Sequence, residues 1–274
     1  MNHRRIRRLF AAFGLLAALA AYILWGNTAI TVTEITVTDN KIPPEFSGFR
    51  IAQISDLHND EFGKDNVRLL KRLAESQPDL IVLTGDIIDS YDTHVAVSAA
   101  FVEEAARIAP TYYVTGNHEA RVREAYEALK SAMLAAGVTV LENELAEVEY
   151  GGASITLMGL HDSNFTSVED NLALLAPQAE GYTVLLAHRP ELVGYYAGAG
   201  VDLVFSGHAH GGQFRFPLFG GLIAPGQGLF PVYDAGLYTV GDTRMIVSRG
   251  LGNSAFPFRF NNRPELVIAQ LKAE

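Results

Sequence analysis

The chain has 274 residues, 49% of them hydrophobic and 19% charged, enough for one large α/β domain with a sizeable core or for two small ones. Its 21 basic and 31 acidic residues give a net charge of −10, and because the first 26 residues hold Arg4, Arg5, Arg7 and Arg8 but no acid, the remainder stands at −14. So acidic a body lacks the basic face that general nucleic-acid binding needs to displace counterions, and the absence of cysteine excludes disulfides, zinc ribbons and thiol nucleophiles while leaving either side of a membrane open.

The first predicted element is an anchor. The four arginines precede an uncharged run from Leu9 to Trp25. As a helix that run reaches about 25 Å, against a hydrocarbon core of about 30 Å. Uncharged residues continue to Thr33, so a modest extension or local thinning completes a span. Residues 1–26 therefore read as a signal-anchor, and residues 27–274 as the functional domain. The arginines keep the N-terminus cytoplasmic, which gives a single pass with the domain on the extracytoplasmic side of a cytoplasmic membrane. Two other readings stand beside this one. Ala18-Leu19-Ala20 is a triplet that signal peptidase could cut, although the apolar run outlasts the usual core of about 7–15 residues; alternatively, the segment is a buried helix of a soluble protein. Arg7-Arg8-Leu9-Phe10 also resembles a twin-arginine export signal.

The domain reads as one alternating α/β unit. Ile30–Val37 alternates β-branched and polar residues, as a half-buried strand does. Short apolar runs follow at Arg50–Ile54, Leu80–Leu83, Tyr112–Val114, Val184–Leu186 and Leu203–Phe205, with helical patterns at Asn66–Ser76, Val95–Ile108 and Val122–Ala136 between the first four. Gly151-Gly152 between two strand-like runs signals a hairpin. Past Gly212 the helical period disappears, and Tyr238–Val240, Met245–Val247 and Leu266–Leu271 suggest further strands.

Each of the five apolar runs ends in a small residue and then a group of potential metal ligands. These are Asp56-Leu57-His58, Gly85-Asp86-Ile87-Ile88-Asp89, Gly116-Asn117-His118-Glu119, His188, and Gly207-His208-Ala209-His210. Sites in α/β sheets form beyond the carboxyl ends of strands. On extended backbone, residues at i and i+2 face the same way, so Asp56 with His58, and His208 with His210, should each converge on one point. Glycines before Asp86, Asn117 and His208 permit sharp turns and close approach. A set of carboxylates, one amide and imidazoles suits Mn, Fe or catalytic Zn. The donors are too many for one ion, and a bridging carboxylate with two ions accommodates them.

This series resembles the calcineurin-like metallophosphoesterase superfamily from about Phe49 to Leu271. Gly211-Gly212-Gln213 and the tail Val247-Ser248-Arg249-Gly250-Leu251-Gly252, followed by Arg263-Pro264-Glu265, are similar to its bacterial membrane-associated branch. The resemblance implies a four-layer α/β/β/α sandwich of two mixed sheets and two divalent or mixed-valence metal ions. Asp56, His58 and His210 would bind the first ion, Asn117, His188 and His208 the second, and Asp86 would bridge. His118 would contact the phosphate and protonate the leaving oxygen, with Asp89 orienting it. The implied reaction is hydrolysis of a phosphodiester or phosphomonoester by a metal-bridging hydroxide, on a substrate such as a phospholipid or a nucleotide-linked lipid. A non-catalytic scaffold using the same fold to bind partners is the alternative. Arg189 stands where this branch often has Asn, and either contacts phosphate or lies in solvent.

Other polar residues read mainly as structural. Glu119 is expected to be a first-turn helix acid and His94 a surface residue, while His161 with Asp162 reads as part of a solvated loop, with contact to substrate as the alternative. In Phe214–Pro231, apolar residues alternate with Gly and Pro. They read either as packing around the second sheet or as an apolar rim beside the metals that meets lipid.

Overall fold

A computed structural model of the chain describes residues 3–274. Helix α1 (His3–Thr28) carries an apolar stretch, Leu9–Thr28, that is long and apolar enough to cross a membrane and is 6% buried. The reading as a buried soluble helix is thereby overturned, since Leu9, Phe10, Phe13 and Leu16 have nothing packed over them.

Sixteen strands follow: β1 (Thr31–Asp39), β2 (Arg50–Ile54), β3 (Leu80–Thr84), β4 (Thr111–Val114), β5 (Thr139–Val140), β6 (Glu144–Tyr150), β7 (Ala153–Gly159), β8 (Thr183–Leu186), β9 (Leu203–Ser206), β10 (Arg215–Phe216), β11 (Gly220–Gly221), β12 (Ile223–Ala224), β13 (Gly228–Leu229), β14 (Gly236–Val240), β15 (Thr243–Val247) and β16 (Glu265–Ala273). Two six-stranded mixed sheets result, ordered β1-β16-β2-β3-β4-β5 and β14-β15-β9-β8-β7-β6, while β10 pairs with β11 and β12 with β13 as separate small hairpins. The Gly151-Gly152 turn joins β6 to β7 as expected.

The apolar runs are nearly unbroken because both faces of these strands are buried. Ile51, Val82, Val114, Val184, Leu186 and Phe205 fill the space between the sheets. On the outer side of the first sheet, Ala52, Ile54, Ile81 and Leu83 meet α2 (Val67–Glu75), α3 (Val95–Ala106) and α5 (Arg123–Ala135). On the outer side of the second, Met158, Leu185 and Val204 meet α6 (Val168–Leu175) and α7 (Val193–Gly198). The order of layers is therefore α/β/β/α. Neither α6 nor α7 gives a clear periodic signal, at eight and six residues, although the Ser167 hydroxyl caps α6 by accepting from the Asp170 N–H.

The tail motif explains itself in this frame. Arg263 donates to the carbonyls of Ala29 (2.8 Å) and Ile30 (3.1 Å), closing the junction between α1 and β1. Glu265 receives the Arg249 side chain at 2.8 Å, and the Leu251 and Gly252 N–H groups donate to the carbonyls of Ser55 and Asp56.

Phe205 is fully buried between the sheets. Phe205→Ala should destabilise the protein by about 3–5 kcal/mol, measured as a fall in the midpoint of chemical unfolding in detergent. An unchanged midpoint would contradict the packing described.

Candidate metal centre

Every one of the seven expected metal ligands is buried. Asp56 and His58 lie just past β2, Asp86 past β3, His188 past β8, and His208 with His210 past β9; Asn117 opens α4 (Asn117–Arg121) just past β4. The convergence has a different cause from the extended spacing expected above. Asp56, His58, Asp86, His208 and His210 all have left-handed backbone, with φ between 47° and 64°. Such conformations in non-glycine residues cost energy and persist where surrounding structure enforces them, commonly at functional sites. Glycine lets neighbouring loops touch: a Cβ on Gly116 would collide with Asp86, and one on Gly207 with Ser55 and Asp56.

The donors form three overlapping groups: Asp56 with His58 and His210, His58 with Asp86 and His118, and Asp86 with His188 and His208. His210 Nε2 lies 3.5 Å from Asp56 Oδ1, and the Nε2 atoms of His58 and His210 face each other at 3.3 Å. His188 Nε2 lies 3.2 Å from Asp86 Oδ2 and 3.3 Å from Asn117 Oδ1. Ligands at about 2.0–2.2 Å from one cation sit roughly 3–3.5 Å from each other. Facing imidazole nitrogens beside a carboxylate oxygen therefore fit a cation between them, and the oxygen and nitrogen donors suit Mn, Fe or Zn.

Outer contacts fix which ring nitrogen each histidine presents. His188 Nδ1 lies 2.8 Å from the Thr84 carbonyl, an acceptor, so Nδ1 carries the proton and Nε2 faces Asp86. His208 Nε2 lies 3.3 Å from the Arg189 guanidinium and 3.7 Å from Glu191 Oε1. Asp89, expected to orient His118, stands beside two imidazoles. Its Oδ2 lies 3.0 Å from His58 Nδ1 and 3.6 Å from His118 Nδ1. The His118 Nδ1 already accepts the Ser90 N–H at 2.9 Å. The Ser90 contact favours a proton on Nε2 of neutral His118, and that atom faces Ser254 Oγ at 3.2 Å, the Arg121 guanidinium at 3.4 Å and Asp86 Oδ2 at 4.0 Å.

Burial alone would raise the Asp86 carboxyl, but His188 and His58 outweigh it and hold it well below the usual carboxylate range. Burial holds His208 and His210 neutral. It also takes His118 down to about 4, with His58 and Arg121 adding to the effect and Asp86 opposing it.

Glu119 is more than the helix acid expected. Fully buried, it accepts backbone N–H groups from Asp86 (2.9 Å), Ile87 (2.8 Å), Ile88 (3.2 Å) and Gly116 (2.8 Å). One carboxylate thus ties the loop of Asp86 to the loop of Asn117. Burial pushes it up to about 7, and the nearby charge of Asp86 adds to that. Asp162 also departs from expectation. It is buried and grips Arg189 through two bonds of 2.6 and 3.1 Å, so neither residue lies free in solvent. His161 stacks on Phe165 at 4.6 Å instead of lining an open loop. His94 is exposed, as expected. The packing reading of Phe214–Pro231 holds for Ala224 but fails for Phe216, Leu218, Phe219, Leu229 and Phe230, which are exposed.

A four-layer sandwich with Asp, Asn and His donors gathered at adjoining strand ends defines a metal-dependent hydrolase of phosphoester bonds. The chain belongs to the calcineurin-like phosphoesterase family, whose model matches residues 49–212. It is 34% identical over 249 residues to the uncharacterized metallophosphoesterase YkuE of Bacillus subtilis, covering 89% of this chain and 86% of YkuE. To the phosphodiesterase YaeI of Escherichia coli it is 31% identical over 239 residues, covering 85% and 84%. Among solved structures, TT1561 of Thermus thermophilus shares the fold, with a TM-score of 0.53 at 14% identity over 75% of this chain and 91% of TT1561.

Glu119→Gln turns an amide NH₂ toward backbone donors that need an acceptor. It should cost about 1–3 kcal/mol of stability and lower the metal retained after gel filtration, measured by mass spectrometry. Wild-type values for both would refute the tie. The depressed His118 predicts a pH effect on metal-free protein. Because its folded value is below the ordinary 6.5, its contribution is fully present above about pH 6.5 and is lost as pH falls toward about 4. Wild-type protein should therefore lose more thermal stability across that window than His118→Gln, and equal losses would count against the assignment.

Proposed function

We propose that this chain is a membrane-tethered phosphoesterase that works with two metal ions on a lipid-linked phosphodiester or phosphomonoester. Asp56, His58 and His210 would hold one ion and Asn117, His188 and His208 the other, with Asp86 shared between them. The observation carrying this reading is the place of Asp86 Oδ2, which lies 3.2 Å from His188 Nε2 and 3.8 Å from His58 Nε2, within reach of both donor groups. Bound ions of this kind acidify water to a nucleophile at neutral pH and offset charge building on phosphoryl oxygens.

The remaining work falls to the chain's own groups. His118, whose Nδ1 accepts the Ser90 N–H, would donate from Nε2 to a phosphoryl or leaving oxygen. Asp89 places its charge beside the rings of His58 and His118, and Arg189, held by Asp162, puts a fixed positive charge beside His208. A cavity of about 360 Å³ opens at the centre. Asp86, Asn117, His118, His208 and His210 line one part of it, Arg121 flanks it, and Ile223, Ala224, Pro225, Ala255 and Phe256 line another. A polar floor against an apolar wall suits a phosphate carrying an apolar group better than a small free phosphate.

We further take α1 as a single membrane pass. Its basic N-terminus would stay in the cytoplasm and the catalytic domain, from residue 27 onward, would lie outside a bacterial cytoplasmic membrane.

The test uses full-length protein loaded in turn with Mn²⁺, Zn²⁺ or Fe²⁺ and assayed on a chromogenic phosphodiester and monoester. At least one metal should support turnover. Asp86→Asn should lose metal and activity together, whereas His118→Asn should keep its metal and lose about 10²–10⁴-fold in rate. Failure of every metal on every ester, or full activity in Asp86→Asn, would overturn the proposal.

A further inference from the structure

The anchor helix does not stand apart from the domain. Asn27 accepts the Arg259 N–H at 2.6 Å and donates to the Arg259 carbonyl at 3.0 Å. Higher on the same helix, the Tyr22 ring lies 6.0 Å from that of Phe260, and its hydroxyl reaches Asn261 at 3.3 Å. Tyr22 is six residues before the end of α1, about 9 Å along the axis. The 259–261 segment therefore climbs the side of the helix to a level inside its apolar stretch, which runs from Leu9 to Thr28. Tyr22 and Trp25 are residue types that settle at the boundary between lipid and water, and Arg263 stacks on Trp25 at 4.7 Å.

The β10–β11 hairpin continues from this contact, since the Phe216 ring lies 6.4 Å from that of Phe260. At its turn, Leu218 and Phe219 are 101% and 72% exposed; on the β12–β13 hairpin and just beyond it, Leu229 and Phe230 are 65% and 59% exposed. These values bracket those of Phe10 and Leu16 on the anchor itself, at 73% and 64%. The hairpins are firmly mounted. The Gln213 amide donates to the Phe258 carbonyl at 2.7 Å, and Gly212 abuts Gly221 too closely for any side chain. Large apolar side chains presented together on a rigid support mark an interaction surface.

We propose that the two hairpins, with Phe256 and Phe258, rest on the lipid leaflet that holds α1. The chain would thus touch the membrane twice, once by spanning it and once by lying on it, and the cavity over the metal centre, whose wall includes Ile223, Pro225 and Phe256, would open at the lipid surface. A bilayer is the occupant because the chain's own apolar helix emerges at this rim and the rim reaches into its apolar stretch. The inference rests on α1 residing in a membrane and is independent of the phosphoesterase chemistry.

Because the chain has no cysteine, single cysteines can be labelled without background. Leu218→Cys at the β10–β11 turn and Phe230→Cys just past β13 would carry an environment-sensitive fluorophore in full-length protein reconstituted into phosphatidylcholine–phosphatidylglycerol vesicles. Leu134→Cys on α5 and Leu174→Cys on α6, exposed on opposite outer layers, serve as controls. Both hairpin labels should emit at shorter wavelength than the controls and be quenched at least about threefold more by lipids brominated near the headgroup. Two results would overturn the proposal: hairpin labels as accessible to water as the controls, or a blue shift that brominated lipid leaves unquenched and that grows with protein-to-lipid ratio, which would indicate a second copy on the rim. Turnover of a soluble chromogenic ester in detergent, measured on the same labelled proteins, keeps failure here separate from failure of the proposed chemistry.

Discussion

Asp86 and Glu119 set the terms for the rest of the structure. Two carboxylates buried in adjoining loops repel each other, and neither has water to spread its charge. They coexist because they are served by different partners. Glu119 is raised to about 7 by burial and by the Asp86 charge, although four backbone N–H groups support its anion; Asp86 faces imidazoles and sits low. The separation gives each a distinct task. One organises two loops from within, and the other turns its free oxygen toward the histidines of both donor groups. The left-handed backbone at five of the ligand positions is a cost of folding the loops so tightly. The sandwich beneath, packed on three apolar layers, supplies the support that keeps them there.

Much of this was legible in the sequence. The five strands that deliver the ligands are continuous apolar runs because both their faces are covered, so their ends, and the Asp, Asn and His clusters at those ends, stand out without any knowledge of tertiary structure. What escaped reading depends on contacts distant in the chain. Glu119 looks like an ordinary helix acid until the loop of Asp86, 33 positions earlier, folds over it. Asp162 and Arg189 look like loop residues until they meet. The spacing of Asp56 with His58 and of His208 with His210 suggested convergence for the wrong reason, since periodicity assumes extended backbone and the chain instead turns left-handed at each of these residues. Helices α6 and α7 are too short to show a period above noise.

The tail motif illustrates the same point from the other direction. Arg249-Gly250-Leu251-Gly252 and Arg263-Pro264-Glu265 carry no metal ligand, yet they join parts that must move as one. Their amides hold the backbone at Ser55 and Asp56, their ion pair locks the tail to itself, and Arg263 closes on the carbonyls where the anchor ends.

That last clasp has a mechanical consequence. Only Ala29 and Ile30 separate α1 from β1, at most about 7 Å of chain, and Arg263 grips both carbonyls. The catalytic domain thus has no leash on which to swing. In the proposed topology it patrols one fixed height above the bilayer, so encounters depend on lateral diffusion in two dimensions, and a phosphoester held farther from the lipid surface than that height stays out of reach.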